Sequence, residues 1–292
     1  MKCKICQSNK INGLFYSVNQ HGRHVINRHE RFLVSQCQMC ETIFLPNVKV
    51  NKEYYKKYYR LDYYDQSGVN KNSVLEKILA YISKLSNLKK ESLIYNTFNS
   101  NKKMSILDVG CGRGNFLSAL NPLRFKKYGV EINREAYEVS RKKGLNVFYG
   151  DITKVNFGSK KFDAVSLWHV LEHLDKPNTL FMIINKILIR KGVLIFQVPN
   201  PKSLGFKFGR EYWFHLDSPR HLTLCGVRAI KQLCKQNNFK LVSIVNEFYD
   251  YPLDLFWSIR KSPIRFLFYP LYPVVKFLDR ETLTFVCIKK EM

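Results

Sequence analysis

Between residues 101 and 250 short apolar runs alternate with helical stretches, and this pattern restricts the fold more than any other feature of the chain. The runs are SILDVG (105–110), KYGVEI (127–132), NVFYG (146–150), FDAVSLW (162–168), GVLIFQVP (192–199) and KLVSIVNEF (240–248). They are short and mostly apolar, as strands covered on both faces are. Helical stretches such as Glu135–Lys143 and Thr179–Ile189 lie between most of them. The alternation predicts an α/β fold with a doubly wound, mostly parallel sheet. Such sheets bind ligands at the carboxyl ends of their strands, near the point where strand order reverses.

The first strand runs into ILDVGCGRGNFL (106–117), a glycine turn that opens a helix. Gly110, Gly112 and Gly114 let the backbone turn sharply and approach a ligand. The pattern is D-x-G-x-G-x-G, and several kinds of nucleotide binder use a glycine turn. Asp108 stands two residues before the first glycine, where a carboxylate repels a pyrophosphate but suits a cation. Glu131 ends the second strand, placed to accept hydrogen bonds from ribose hydroxyls. Asp151 follows the third, within reach of an adenine amino group. Each acid alone reads equally well as a cap or turn residue. Three in succession at strand ends point to one ligand.

These pieces, with GVEIN, GDI, FDAVSLWHVLEHLDKP and GVLIFQVPN in the same order, resemble the class I S-adenosylmethionine-dependent methyltransferases over about residues 104–200. The resemblance implies a seven-stranded Rossmann-like sheet. It implies that Gly110, Cys111, Gly112 and Gly114 cradle the amino acid part of S-adenosyl-L-methionine. Asp108 supports that turn or the cofactor's amino group, and Glu131 holds the ribose with Ile132 beside the adenine. Asp151 and Ile152 meet the adenine, and Leu167, Trp168 and His169 form the wall after the fourth strand.

SLWHVLEHLDKP (166–177) also spells H-x-x-E-H through His169, Glu172 and His173, a zinc-hydrolase pattern when it lies within a helix. Here His169 follows a strand directly, so the two histidines are not expected to share a regular helix. Glu172 and His173 read as packing and capping residues, and His169 as a candidate acid–base group at the acceptor pocket. After the fifth strand, GREYWFHLDSPRHLTL (209–224) is similar to the loop that roofs the acceptor site in many small-molecule and glycan methyltransferases. It offers Tyr212, Trp213 and Arg220 as substrate-binding residues and His221 as a second candidate base. A helix-entry turn with packed aromatics accounts for the same residues.

Cys3-x-x-Cys6 and Cys37-x-x-Cys40 form two paired knuckles, the spacing of a closed, structural zinc site of four thiolates. His21, His24 and His29 lie between them as alternative ligands. One zinc ion per chain is expected. The arrangement resembles the zinc ribbon that precedes some bacterial methyltransferases of sugar and secondary metabolism. The chain thus divides into a ribbon (1–48), a tyrosine-rich and helical connector (49–100) and a methyltransferase domain (101–292). Leu75, Ile78, Leu79, Ile82 and Leu85 in the connector recur at helical spacing. Tyr55, Tyr58, Tyr59, Tyr63 and Tyr64 read as lid or packing residues.

The segment 251–280 interrupts the last strand pair with aromatic and basic residues, a helical and aromatic insertion suited to a membrane interface, a dimer surface or a cover for the core. The formal charge is +25, with 48 Lys+Arg against 23 Asp+Glu, which favours phosphate-bearing partners but also follows from lysine-rich composition. Met1-Lys2-Cys3-Lys4 has no apolar run of the export type, and the longest uncharged apolar stretch near the C-terminus, 266–275, is broken by Pro270 and Pro273. A cytoplasmic protein with reduced thiols is expected, with peripheral contact at the inner face of the membrane through 251–280.

The expected activity is methyl transfer to a small molecule or glycan, including a nucleotide- or lipid-linked sugar in surface-polysaccharide synthesis. An RNA methyltransferase is the first alternative, although the (Asn/Asp/Ser)-Pro-Pro-(Tyr/Phe) box of amino-methylating nucleic-acid enzymes is replaced by Ser166-Leu167-Trp168-His169. A non-catalytic cofactor-binding scaffold is the second. The acceptor atom and the oligomeric state stay open.

Overall fold

The structure, a computed structural model, describes residues 1–19, 30–59, 74–98, 102–246 and 253–291, without the side chains of 74–79 and 277. His21, His24, His29, Tyr63 and Tyr64 lie outside the described residues, as do the end of the 240–248 run and the first two residues of the 251–280 insertion.

Three antiparallel strands open the chain: β1 (Ile11–Val18), β2 (Arg31–Cys37) and β3 (Ile43–Phe44). The connector supplies α1 (Lys52–Tyr58), capped by the Asn51 side chain, and the long α2 (Val74–Phe98). Strands and helices then alternate: β4 (Met104–Val109), α3 (Asn115–Ala119), β5 (Phe125–Glu131), α4 (Arg134–Lys142), β6 (Asn146–Tyr149), β7 (Phe162–Trp168), α5 (Pro177–Ile187) and β8 (Leu188–Pro199). Asn133 caps α4 by accepting from Ala136 N, and Pro177 sits in the first turn of α5, where its missing N–H costs nothing. The chain continues through α6 (Leu204–Gly209), β9 (Thr223–Leu224), α7 (Val227–Gln236) and β10 (Phe239–Asn246). It closes with α8 (Asp254–Ile259), α9 (Arg265–Phe268), α10 (Tyr272–Leu278) and β11 (Thr282–Lys289).

Seven strands form the main sheet in the order β10-β11-β8-β7-β4-β5-β6. β4 to β8 are parallel, and β11 is antiparallel to both neighbours. This is the expected doubly wound, Rossmann-like sheet. Strand order reverses at β4, which lies between β5 and β7, so the crevice opens at the carboxyl ends of these three strands. Buried apolar side chains cover both faces: Leu107, Val165, Leu194 and Phe196 belong to one cluster, Ile106, Ala164, Val193 and Ile195 to the other. The alternation along β4, β7 and β8 is what a sheet sandwiched between helical layers requires.

The N-terminal strands do not stand apart from this core. β3 pairs with β9, so the small sheet runs β1-β2-β3-β9 and its last strand comes from the loop after β8. A boundary at residue 48 therefore cuts through one sheet. All eight cysteines are free, and Cys234 and Cys287 meet as buried thiols with sulfurs 3.5 Å apart.

Candidate active site

The cofactor flank is built from β4, β5 and the turn that follows β4. Gly110 N and Cys111 N both donate to Val130 O, at 2.8 and 3.1 Å, which pins the turn to β5. Gly110, Gly112 and Gly114 all have positive φ (68°, 55° and 74°), a region that side-chain-bearing residues rarely adopt. Two of them are also closed in by protein: a Cβ on Gly110 would lie 2.7 Å from Val170 Cγ2, and one on Gly114 2.3 Å from Leu145 Cδ1. A Cβ on Gly112 would meet nothing within 4 Å. That glycine borders the open crevice. Glu131 is buried, and its two oxygens accept from Gly112 N and Asn133 N at 2.7 Å each. Its carboxylate therefore shapes the turn and has one further lone-pair site on each oxygen for a ligand. Burial raises Glu131 above the usual carboxylate range, against the pull of those backbone donors.

Asp108 is buried at the switch point. The parallel register sets it opposite Ser166, whose hydroxyl donates to Oδ1 at 2.7 Å. Burial pushes Asp108 up to about 7, with Ser166 and Lys90 opposing. Lys90 was not singled out from sequence. It reaches in from α2, largely buried, with its ammonium 4.4 Å from the centre of the Trp168 ring. Trp168 stands edge-on to Phe116, and its indole Nε1 is buried without a protein acceptor. Ile132 is 54% exposed beside Glu131, as a surface that a ligand covers. Asp151 Oδ1 accepts from both the backbone and the hydroxyl of Thr153, which is a turn-capping role. Ile152, in the turn after β6, and Leu167, on β7, are both core side chains that belong to the apolar cluster.

The acceptor flank departs further from expectation. Trp213 is 1% exposed, and its Nε1 donates to Glu281 Oε2 at 2.6 Å. It is a core residue and not part of a substrate wall. Arg220 is also internal. Its Nε lies 3.0 Å from both oxygens of Asp217, and a terminal nitrogen donates to Asn19 Oδ1 at 3.1 Å. A guanidinium so engaged is a brace, not a receptor for phosphate or carboxylate. Tyr212 remains partly exposed, with the Arg260 guanidinium 5.8 Å from its ring centre. The connector tyrosines pack here too: Tyr54 OH donates to Pro219 O at 3.1 Å and Tyr59 OH to Arg220 O at 3.3 Å.

Four histidines line the seam between β7 and this loop. β7 ends at Trp168, His169 turns the chain with a left-handed backbone, and Leu171–His173 form a single 3-10 turn. His169 and His173 thus share no α-helix, as expected. His169 Nδ1 lies 3.2 Å from Glu172 Oε1, and its ring stacks parallel on His215 at 6.2 Å. His215 Nε2 lies 3.0 Å from Asp254 Oδ2, and Lys276 also pairs with Asp254. Burial pushes Asp254 up, but His215 and Lys276 together hold it below its usual range. His221 sits behind, with Nδ1 2.7 Å from His215 O and its ring edge-on to His173. Burial holds His173 near 4 and His221 below its usual range. The insertion thus holds this loop through Asp254 and Lys276, and Glu281 just beyond it holds Trp213. No local motif marks these residues; their only sequence signal is a charge inside an apolar, aromatic segment.

The four N-terminal cysteines converge as well. Cys3 and Cys40 sulfurs are 3.5 Å apart, Cys6 and Cys37 3.4 Å, and all four lie within 4.8 Å of one another. A zinc–sulfur distance of ~2.3 Å in a tetrahedron gives sulfur–sulfur edges of about 3.8 Å, so the cluster fits a Zn-S4 site.

A doubly wound sheet that reverses at a glycine turn above buried acids defines a class I, Rossmann-like methyltransferase. The chain belongs to the methyltransferase domain family, whose model matches residues 79–244, more than half of its length. Among curated proteins it is similar to the ubiquinone biosynthesis O-methyltransferase of Actinobacillus pleuropneumoniae serotype 5b, 30% identical over 106 residues, 32% of this chain and 45% of that protein. The protein of the same name from Glaesserella parasuis serovar 5 is 25% identical over 169 residues, 52% of this chain and 72% of that protein. The chain spans about half the length of most of the curated relatives it matches. In structure it is similar to the magnesium protoporphyrin IX methyltransferase of Synechocystis PCC 6803 with bound SAH, with a TM-score of 0.56 and 14% identity, over 82% of this chain and all of that one. The YcgJ protein of Bacillus subtilis follows with a TM-score of 0.51 and 15% identity, over 70% of this chain and all of that one. These structural likenesses are of fold.

Proposed function

We propose that the protein transfers a methyl group from S-adenosylmethionine to a small-molecule or glycan acceptor carried on a nucleotide or a lipid, such as a sugar of surface-polysaccharide synthesis. The observation that carries the first half is the pair of buried acids, Asp108 and Glu131, under a glycine turn whose middle glycine faces open space. The residues fit the cofactor: a buried carboxylate for a cationic ligand, spare acceptor sites on Glu131 for hydroxyls, and an indole Nε1 at Trp168 in need of an acceptor. The bound cofactor supplies an electrophilic methyl carbon, and the protein supplies alignment. His169, oriented by Glu172, is placed to take a proton from a hydroxyl acceptor. The names of the curated relatives, O-methyltransferases, support oxygen as the acceptor atom.

The second half rests on the surface beside this flank. Trp257, Phe266, Leu267, Leu271, Val274 and Leu278 are all exposed, from 47% to 72%. Residues 255–278 contain no acid, and Lys261 is exposed among them with Arg260 and Arg265 half-exposed. An apolar, cationic face of this kind suits an anionic bilayer surface and an acceptor presented there. Among the described residues no helix is long and apolar enough to cross a membrane. We assign zinc to the four cysteines, as a structural ion.

Calorimetry with S-adenosylmethionine tests the cofactor reading, and absence of binding removes it. Radiolabelled methyl transfer into separated sugar-nucleotide, lipid and RNA fractions tests the acceptor. Label in RNA alone would replace the present reading with the nucleic-acid one.

A further inference from the structure

The H-x-x-E-H stretch does not pair His169 with His173 around a metal, yet the fold assembles a different set. Glu172, His173 and His221 each present a ligating atom within 4.8 Å of the other two. Glu172 is fully buried and His221 is 9% exposed. Their hydrogen bonds fix where the protons are. His221 Nδ1 lies 2.7 Å from His215 O, and His173 Nδ1 lies 3.2 Å from Arg220 O. A carbonyl oxygen only accepts, so each Nδ1 carries the hydrogen and each neutral ring has a bare lone pair at Nε2. Tyr59 OH, also donating to Arg220 O, closes the outer side of His173 at 3.0 Å. Glu172 Oε1 faces His169 Nδ1, whereas Oε2 is buried with no protein hydrogen-bond partner.

A buried carboxylate oxygen without a donor therefore belongs to a residue clustered with two imidazole rings. A buried carboxylate oxygen of this kind is costly unless a cation or a donor joins it. Two nitrogens and one oxygen are the ligands of zinc and its neighbours in sites that keep a fourth position open. The outer bonds agree: metal-ligating histidines usually donate their other N–H to a carbonyl or carboxylate, as both rings do here.

We propose that Glu172, His173 and His221 bind a divalent transition-metal ion such as Zn2+, at a site separate from the four cysteines. The ion ties the turn after β7 to the loop before β9, two walls of the acceptor flank that sequence holds about fifty residues apart. The inference rests on the geometry of these three side chains and is independent of which acceptor is methylated.

The test is metal content of the full-length protein purified without chelator. Two zinc ions per chain are expected in the native protein, and one in Glu172→Gln and in His221→Ala, with S-adenosylmethionine affinity retained. Zinc X-ray absorption of the native protein, which needs no variant to fold, should show a mean of about two sulfur and two nitrogen or oxygen neighbours per ion. Reconstitution with Co2+ should give thiolate charge-transfer bands in native and variant proteins alike. The weaker visible bands of a nitrogen–oxygen site should be lost from the variants. One zinc per chain with an all-sulfur shell overturns the proposal and leaves a bridging water between these groups. Two ions that persist unchanged in both variants overturn it equally.

Discussion

The two flanks of the crevice use polar side chains in opposite ways. On the cofactor side, Asp108 and Glu131 are held by a serine hydroxyl and by backbone N–H groups, next to a glycine that faces open space. On the acceptor side, the residues that look most like binding groups are occupied by one another: Arg220 by Asp217, Trp213 by Glu281, His215 by Asp254. A buried charge costs little only when it is paired and hydrogen-bonded. The first flank keeps part of its polar capacity for a ligand, and the second commits most of its own to holding a loop and the C-terminal insertion against the core.

By that contrast, substitutions on the acceptor flank should cost stability before they cost binding. Arg220→Ala leaves the Asp217 carboxylate buried without its partner, a loss of about 3–5 kcal/mol. Thermal unfolding should drop by roughly 10 °C for a chain of this size, while the folded fraction keeps its S-adenosylmethionine affinity. An unchanged melting temperature with a raised acceptor KM would return Arg220 to substrate binding.

Asp108→Asn should behave in the reverse sense. The carboxyl group in the fold titrates at about 7, above its ordinary value of 3.8. A group raised in this way favours the fold while protonated, and that contribution is lost as pH rises through 7. The asparagine variant should therefore melt several degrees higher than the native protein at pH 8, with the difference vanishing toward pH 4. Its cofactor affinity should fall at least tenfold. A variant less stable at pH 8 would show that the buried carboxylate is stabilising and that the two flanks are alike.

Trp213→Phe removes one hydrogen bond to Glu281 and part of a buried ring system, for about 2–3 kcal/mol. Acceptor KM should not move; a KM change without a stability change would restore Trp213 to the pocket. The smallest effect on stability is expected from Phe266→Ser combined with Leu267→Ser, within about half a kcal/mol as for other surface changes. Co-sedimentation with phosphatidylglycerol vesicles at low salt should nevertheless fall severalfold. No vesicle binding by the native protein would end the membrane assignment.

The same contrast explains what the sequence could reveal. The main sheet was legible because each strand carries its own apolar run, and the run 162–168 coincides with β7. The cofactor turn was legible because glycine spacing and strand-end acids are local. The acceptor flank was not, because apart from the Arg220–Asp217 pair most of its partners are distant in sequence: Trp213 and Glu281 are 68 positions apart, Ser17 and Ser218 are 201. A tryptophan or an arginine next to a histidine looks like a binding set until its partner is known, and nothing nearby announces Asp254, Lys276 or Glu281. Lys90 carries no signal for the same reason, since one of two adjacent lysines on a long helix makes no pattern. The four cysteines were the exception among long-range features, since paired knuckles state their own geometry.

The pairing of β3 with β9 involves only two residues on each side, Ile43 with Leu224 and Phe44 with Thr223. It nevertheless makes the N-terminal module unsuitable for exchange. A ribbon grafted from another protein would have to bring a strand edge that matches Thr223–Leu224, and a chain trimmed before the catalytic core would leave that edge bare and open to pairing with a second molecule. The ribbon and the core therefore have to change together, as the two halves of a hinge must be cut to the same pin.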